Sequence, residues 1–111
     1  MCGRFALIRE EEELMKSLSV HHCEVSVETS YNIAPGADIS IIHQQDGRLV
    51  VDSRRWGLIP FWAKEGGRGM INARSETVSE KPSFRHAFSK RRCLIPSSGF
   101  YEWEKNENGK Q

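Results

Sequence analysis

The sequence predicts a fold of the α+β class, and three observations lead to that prediction. Short runs rich in β-branched residues alternate with glycine, proline and asparagine turn signals. Two of these runs are joined by Asp46-Gly47, which is a strong signal for an antiparallel hairpin. The segments with helical spacing are short, so we expect them to flank a sheet.

The amino-terminal elements follow from local pattern. Gly3 to Ile8 is predicted to be a first strand. Leu14 and Leu18, four residues apart, predict one apolar face of a short helix over Arg9 to Leu18. The following segment, His21 to Ser30, is predicted to be irregular.

The centre of the chain is the predicted hairpin. Its strands are Ile39 to His43 and Leu49 to Val51, on either side of Asp46-Gly47. The next segment, Trp56 to Gly69, carries two aromatic patches and then several glycines. It is predicted to be a strand end followed by a mobile loop.

The last third of the chain is predicted to hold two short helices and two strands. Ser75 to Ser79 opens the first helix, and Pro82 to Phe88 forms the second, because proline is favoured in the first turn of a helix. Cys93 to Pro96 and Gly99 to Lys105 are predicted to be strands on either side of a Pro-Ser-Ser-Gly break.

Composition is that of an ordinary globular protein, with 111 residues, 38% hydrophobic and 28% charged. No apolar run approaches the ~20 residues of a membrane span, and no signal pattern opens the chain. We therefore expect no membrane association and a cytoplasmic location, associated with the nucleoid in a bacterium. Three cysteines without paired spacing argue against a disulfide framework, and His21, His22 and Cys23 lack the spacing of a metal site, so no metal is expected.

The net charge of +1 provides no general attraction to nucleic acid, but the basic residues are unevenly distributed. Arg85, Lys90, Arg91 and Arg92 lie close together in the sequence, and further arginines are scattered among the other segments. This distribution predicts either a local basic groove or separate solvated faces.

Cys2 has the most distinctive chemistry in the chain. Removal of Met1 before this small residue would leave an α-amine and a thiol on adjacent carbons. Such a 1,2-aminothiol condenses with an aldehyde to a Schiff base and then closes through sulfur to a thiazolidine, without any cofactor. Free α-amines titrate at about 7.7–8.0 and thiols at about 8.5, so both groups work near neutral pH. The structural alternative is a small residue packed into the first strand.

Five motifs follow one another in register: Cys2-Gly3-Arg4-Phe5, Tyr31-Asn32-Ile33-Ala34-Pro35-Gly36, Trp56-Gly57-Leu58-Ile59-Pro60-Phe61-Trp62, Ile71-Asn72-Ala73-Arg74-Ser75-Glu76-Thr77 and Gly99-Phe100-Tyr101-Glu102-Trp103. Together they closely resemble the SRAP family, the SOS-response-associated peptidase or abasic-site processing proteins. The resemblance implies a curved, barrel-like, mostly antiparallel sheet with short flanking helices. Residues 1–111 correspond to the amino-terminal portion of that single domain, so we expect the sheet to be present only in part. A second chain is one way to complete it.

The resemblance also implies three catalytic residues, Cys2, Asn72 and Glu102. Asn72 would contact the amino-terminal cysteine, because an amide both accepts from an amine and donates to an oxyanion. Burial among aromatic side chains would suit Glu102 to general acid–base work. Without the resemblance, Asn72 would be assigned to a turn and Glu102 to the surface. The family's catalytic histidine lies downstream of the glutamate and has no counterpart before Gln111.

Six further residues match family positions that line a DNA groove: Arg4, Asn32, Pro35, Trp62, Arg74 and Trp103. Aromatic faces stack on unpaired bases for about 1–3 kcal/mol each, and arginine fits phosphates and base edges. The expected partners are therefore single-stranded DNA with abasic sites and single-strand/double-strand junctions. For Trp56 a place in the core is the better prediction.

The function implied by the resemblance is that of an abasic-site sensor. Cys2 would form a covalent thiazolidine cross-link with the ring-opened abasic aldehyde in single-stranded DNA, after Met1 is removed by the protein itself or by an aminopeptidase. Two alternatives remain open. One is a noncovalent single-stranded DNA-binding module with a structural Cys2, and the other is a cysteine peptidase that acts on other proteins.

Overall fold

A computed structural model describes residues 2–63 and 69–104. Within them the chain forms short strands and two short helices, in the order β1 (Phe5–Leu7), α1 (Glu11–Ser17), β2 (His22–Cys23), β3 (Ser30–Ile33), β4 (Asp38–Gln45), β5 (Arg48–Arg55), α2 (Arg85–Lys90) and β6 (Gly99–Phe100). The predicted α+β class is confirmed. The mobile loop predicted towards Gly69 falls largely on residues 64–68, outside the described residues.

The β4–β5 hairpin is the longest paired unit. Its register runs without interruption from Asp38 opposite Arg55 to Gln45 opposite Arg48. Asp46 and Gly47 have φ angles of 52° and 76°, so both turn residues lie in the left-handed region. A two-residue turn with this geometry matches the twist of antiparallel strands, and the predicted hairpin is confirmed.

The strands form two sheets of three. One has the order β2-β5-β4, and the other has the order β3-β1-β6, in which β1 is antiparallel to both neighbours. In the described ranges the two sheets do not close into a barrel. The predicted irregular segment after His21 is partly wrong, because β2 pairs in parallel with β5. Backbone hydrogen bonds from His21 N to Leu49 O and from Glu24 N to Val51 O hold β2 at both ends.

Two apolar clusters cover the two faces of β4. Ile39 and Ile41 pack with Phe5 of β1 on one face. Ile42 points the other way, because side chains alternate along a strand, and it packs with Val20 and Val51. The β4–β5 hairpin is therefore the element that joins the two sheets.

The helices are shorter than predicted. α1 ends at Ser17, so Leu18 is exposed while Leu14 is buried. Residues 75–80 form turns instead of a helix. α2 begins at Arg85, three residues later than predicted, because Pro82 lies inside a turn closed by the hydrogen bond from Phe84 N to Lys81 O.

The last strands are also shorter than predicted. From Cys93 to Pro96, only Leu94 pairs, in a single bridge to Ile42. β6 stops at Phe100, which lies opposite Phe5, the first residue of its partner β1. No helix in the described part of the chain is long and apolar enough to span a membrane.

Candidate functional site

Cys2 lies just ahead of β1, on the apolar cluster formed by Phe5, Ile39 and Ile41. The side chain is half-buried, and its thiol donates a weak hydrogen bond to the carbonyl of Arg4, with Sγ 3.7 Å from the oxygen. Cys2 therefore packs on the core with one side, while part of the cysteine stays exposed to solvent.

Asn72 reaches Cys2 from a distant part of the sequence. Its Nδ2 donates a hydrogen bond to the Cys2 carbonyl oxygen at 3.1 Å, across a separation of 70 residues. Asn72 is half-buried, so solvent competes less for this bond than it would at an exposed position. The predicted contact between these two residues is present.

A close crossing of two backbones places Asn72. Leu58 and Met70 form a two-way bridge, with both N–H···O distances at 2.9 Å. Beside it, Gly57 and Gly69 approach so closely that a Cβ on Gly69 would lie 2.5 Å from Gly57 Cα. Gly57 also has a φ of 133°, which side chains rarely tolerate. Both glycines are required for the segment that carries Asn72 to lie against the hairpin.

Trp56 anchors the same segment. Its ring meets Phe5 edge to face, with centroids 5.4 Å apart, and the half-buried side chain packs on the Cys2 cluster. Its Nε1 also donates to the carbonyl of Ile71 at 3.5 Å, next to Asn72. The predicted core role of Trp56 is confirmed.

Arg4 connects the two neighbours of β1. Its guanidinium donates to Oδ1 of Asn32, next to β1 on β3, at 3.1 Å. Its carbonyl accepts a hydrogen bond from Tyr101 N at 2.9 Å, directly after β6. The structure thus brings together two residues predicted to bind DNA, Arg4 and Asn32, beside Cys2.

The role of Tyr101 is not evident from the sequence. Its hydroxyl donates to the carbonyl of Tyr31 at 2.8 Å and so joins the outer strands β6 and β3 across β1. Both tyrosines lie in the motifs quoted above, but local sequence gives no sign that these motifs meet. The contact depends on the strand order.

Arg74 and Asn72 line the same small cavity of about 200 Å³, together with Lys81 and Phe84. Residues 71–74 belong to no strand. The cavity nevertheless brings an exposed guanidinium next to the amide that holds Cys2. Such a pair of groups is suited to an anionic ligand.

The other predicted site residues lie on the surface. Glu102 is exposed, so the expectation that aromatic side chains bury it is wrong. Its neighbours are exposed as well, because β6 is an outer strand of its sheet. Trp62 and Trp103 expose 59% and 54% of their surface, and Pro35 lies in an exposed turn. In the described residues, no hydrogen bond or ring contact joins Trp62, Trp103 or Pro35 to Cys2.

The two other thiols have a different environment. Burial raises the pKa of the Cys23 thiol, and the nearby Glu11 carboxylate adds to that effect. Burial also raises the pKa of Cys93. Both thiols therefore stay protonated near neutral pH. Across residues 2–63 and 69–104, no group of three or more His, Cys, Asp and Glu side chains is arranged to hold a metal ion.

Comparison with known proteins identifies the family. The model of the SOS response associated peptidase (SRAP) family matches residues 1–111. The chain belongs to the SRAP family. The resemblance inferred from the five motifs is thereby confirmed.

Similar SRAP proteins come from bacteria and from animals. The abasic site processing protein YoqW of Bacillus subtilis is 43% identical over 109 residues, which cover 95% of this chain and 49% of that protein. YedK of Escherichia coli is 30% identical over all of this chain and 51% of its own length. HMCES of Mus musculus is 34% identical over 74% of this chain and 27% of its own length. Both carry the same description, abasic site processing protein.

The fold is similar to that of a solved relative. A crystal structure of a protein from Bordetella bronchiseptica superposes with a TM-score of 0.72 at 26% identity, and the match covers 91% of this chain and 50% of that protein. The chain thus spans about half the length of the bacterial proteins it matches.

Proposed function

We propose that this chain recognises abasic sites in single-stranded DNA and captures them covalently through Cys2. The hydrogen bond from Asn72 to the Cys2 carbonyl supports the proposal best. It holds the backbone of a half-exposed cysteine at a fixed place beside Arg4, Asn32 and Arg74. Several relatives are named abasic site processing proteins, which agrees with this chemistry.

The reaction balances without a cofactor. After Met1 has been removed, the Cys2 amine adds to the aldehyde carbon of the ring-opened abasic sugar and forms a carbinolamine. Loss of one water gives an imine. The Cys2 thiol then adds to the imine carbon, a carbon–sulfur bond forms, and the thiol proton passes to nitrogen. The products are one thiazolidine and one water.

The side chains near Cys2 have distinct roles in this proposal. Asn72 positions the cysteine through its carbonyl, and Arg74 attracts a phosphate next to the abasic sugar. Glu102 moves protons during loss of water, a role that an exposed carboxylate performs as general acid and base in contact with solvent. Trp62 and Trp103 stack on unpaired bases. The exposure of both tryptophans favours single strands or junctions over an intact duplex.

Intact-protein mass spectrometry with abasic single-stranded DNA tests the proposal. We expect a product equal to the protein without Met1 plus the DNA minus one water, stable without a reductant. Cys2→Ser keeps the amine and is expected to give an adduct only when borohydride reduces the imine. A chain with one extra residue ahead of Cys2 keeps the thiol but lacks the amine at that position, and it should give no stable adduct.

The same experiment separates the alternatives. DNA binding without any adduct, unchanged in Cys2→Ala, would contradict covalent capture and favour a noncovalent binding module. An unreduced adduct that survives Cys2→Ser would place the chemistry on another residue. Cleavage of an added peptide that is lost in Cys2→Ala would favour a peptidase.

The role of Asn72 has its own test. Asn72→Asp keeps the shape of the side chain but loses the donor to the Cys2 carbonyl. Loss of about 1.4 kcal/mol of positioning energy would slow cross-linking roughly tenfold at saturating DNA. Gln45→Glu makes the same amide-to-carboxylate change at the far end of β4 and should leave the rate unchanged. Equal rates for the Asn72 variant and the unmodified chain would exclude the positioning role.

A further inference from the structure

A second cavity lies next to the Cys2 site and is strongly basic. It has a volume of about 800 Å³, and Arg54, Arg55, Lys90, Arg91 and Arg92 line it. Among the described residues that line it, none carries a carboxylate. The chain as a whole has a net charge of only +1, so five cations and no carboxylate around one cavity, here called the basic cavity, make a local concentration of positive charge.

Most of these cations have no acidic partner. Arg54 pairs with Asp52 at 2.9 Å, and Arg92 lies over the ring of Phe88 at 4.9 Å from its centroid. For Arg55, Lys90 and Arg91, the described part of the chain contains no ion pair. All three are exposed, so they are available to an anion in solution.

The basic cavity adjoins the Cys2 site, with which it shares an apolar cluster. Ile39, Ile41 and Trp56 line its apolar wall, and Cys2 packs against the same cluster. Ile71, which also lines it, directly precedes Asn72. A strand whose abasic sugar lies at Cys2 therefore has a path along which its neighbouring phosphates meet arginine and lysine.

The geometry points to the basic cavity as a second contact for the DNA backbone, where the phosphodiester strand that flanks the abasic site is held. This inference rests on the proposed function. Arg55, Lys90 and Arg91 supply charge-assisted hydrogen bonds to phosphates without reading the base sequence. Among the described residues that line the cavity, Trp56 is the only Phe, Tyr or Trp, and its ring already packs on Phe5, so we expect the cavity to hold backbone and not bases.

Salt dependence tests this inference directly on chain 1–111. Each phosphate contact to single-stranded DNA contributes a slope of about 0.7 in a plot of log affinity against log salt, so Arg55→Gln/Arg91→Gln should lower the slope by roughly 1.4. Between about 50 and 200 mM salt, the unmodified chain should then lose roughly sevenfold more affinity than the variant. Lys16→Gln/Arg48→Gln removes two exposed charges away from the cavity and should keep the original slope.

DNA length provides the second readout. A short oligonucleotide that carries only the abasic site and its nearest neighbours should bind the unmodified chain and Arg55→Gln/Arg91→Gln equally. Oligonucleotides extended from the abasic site on only the 5′ side or only the 3′ side are then compared. The unmodified chain should bind more tightly than the variant for one of these two extensions and not for the other. That asymmetry gives the direction of the strand through the cavity.

The outcomes distinguish this inference from the proposed function. If the chain forms the cross-link but the unmodified chain and the Arg55→Gln/Arg91→Gln variant have equal salt slopes and no length effect, the basic cavity is not a DNA contact. It would then remain as a surface for another polypeptide. A reduced slope on undamaged single-stranded DNA, without any cross-link to abasic DNA, would support the cavity and contradict covalent capture.

Discussion

The β4–β5 hairpin and the small β3-β1-β6 sheet are built in different ways. Each hairpin strand is eight residues long, both faces are covered, and Ile42 and Val51 are almost completely buried. In the other sheet, β1 and β6 have three and two residues. The hairpin carries most of the packing, whereas Cys2, Arg4 and Asn32 lie in or next to the small sheet. Cys2 therefore depends for its support on the hairpin residues Ile39 and Ile41.

The hairpin and the small sheet also differ in how many apolar side chains they expose. Among the described residues, thirteen large hydrophobic side chains are exposed and nine apolar side chains are buried. The small sheet and its flanks carry Tyr31, Phe100, Tyr101 and Trp103, all exposed. Apolar patches of this kind on a globular protein are typical of surfaces that another molecule contacts.

The largest expected effect is a loss of stability on creating a cavity in the hairpin core. Ile42→Ala removes a side chain that is 1% exposed and packs with Val20 and Val51. Such a truncation costs about 2–5 kcal/mol, a large part of the 5–15 kcal/mol that stabilises a typical domain. We expect a clear fall in the denaturant midpoint measured by circular dichroism.

Leu94→Ala is the matched control for Ile42→Ala. Leu94 pairs with Ile42 through the backbone, but 62% of its surface is exposed. Its truncation should change the free energy of unfolding by less than about 0.5 kcal/mol. Equal losses at the two positions would contradict the view that the hairpin core carries the stability.

A smaller effect is expected where the hairpin supports the site. Gly69→Ala places a methyl group 2.5 Å from the backbone of Gly57, and neither backbone can move without weakening the Leu58–Met70 bridge. Overpacking of this kind costs about 1–3 kcal/mol. Because Asn72 is three residues away, the cross-linking rate should fall together with the stability. Both are measured on the same preparation.

Gly99→Ala is the control for the crowding at Gly69. A Cβ at Gly99 meets no atom within 4 Å. The substitution should leave both the melting temperature and the cross-linking rate nearly unchanged. A Gly69 variant as stable and as reactive as the Gly99 variant would show that the close crossing does not position Asn72.

The smallest effect concerns acid stability of the hairpin surface. The backbone N–H of Ser53 and the guanidinium of Arg54 hold the pKa of the Asp52 carboxyl below its usual value of 3.8. Because this pKa is lower in the folded chain than in the unfolded chain, the ionised carboxyl stabilises the fold fully above the unfolded-state pKa. The contribution is lost as the pH falls through the folded-state pKa. Asp52→Asn should therefore lower the denaturant midpoint slightly at pH 7. The difference between the two chains should shrink below about pH 4; a constant difference would assign the effect to packing.

Sequence predicted the local units well and their lengths less well. The hairpin was predictable because Asp46 and Gly47 tolerate left-handed backbone and the flanking runs are rich in β-branched residues. α2 and β6 began or ended elsewhere because their limits depend on the turn around Pro82 and on the short β1. β2 was not predicted at all, because it forms only where β5 offers a free edge.

The sequence by itself determined the family and singled out Cys2 as the candidate nucleophile, because both depend on motifs and on covalent chemistry that local sequence carries. Only the tertiary structure decided which of the candidate site residues meet. Asn72 reaches Cys2 and Tyr101 reaches Tyr31 across 70 residues each, through strand order and a glycine crossing. The exposure of Glu102 and the presence of the basic cavity also depend on the tertiary structure, since burial and clustered charge arise only when distant segments pack together.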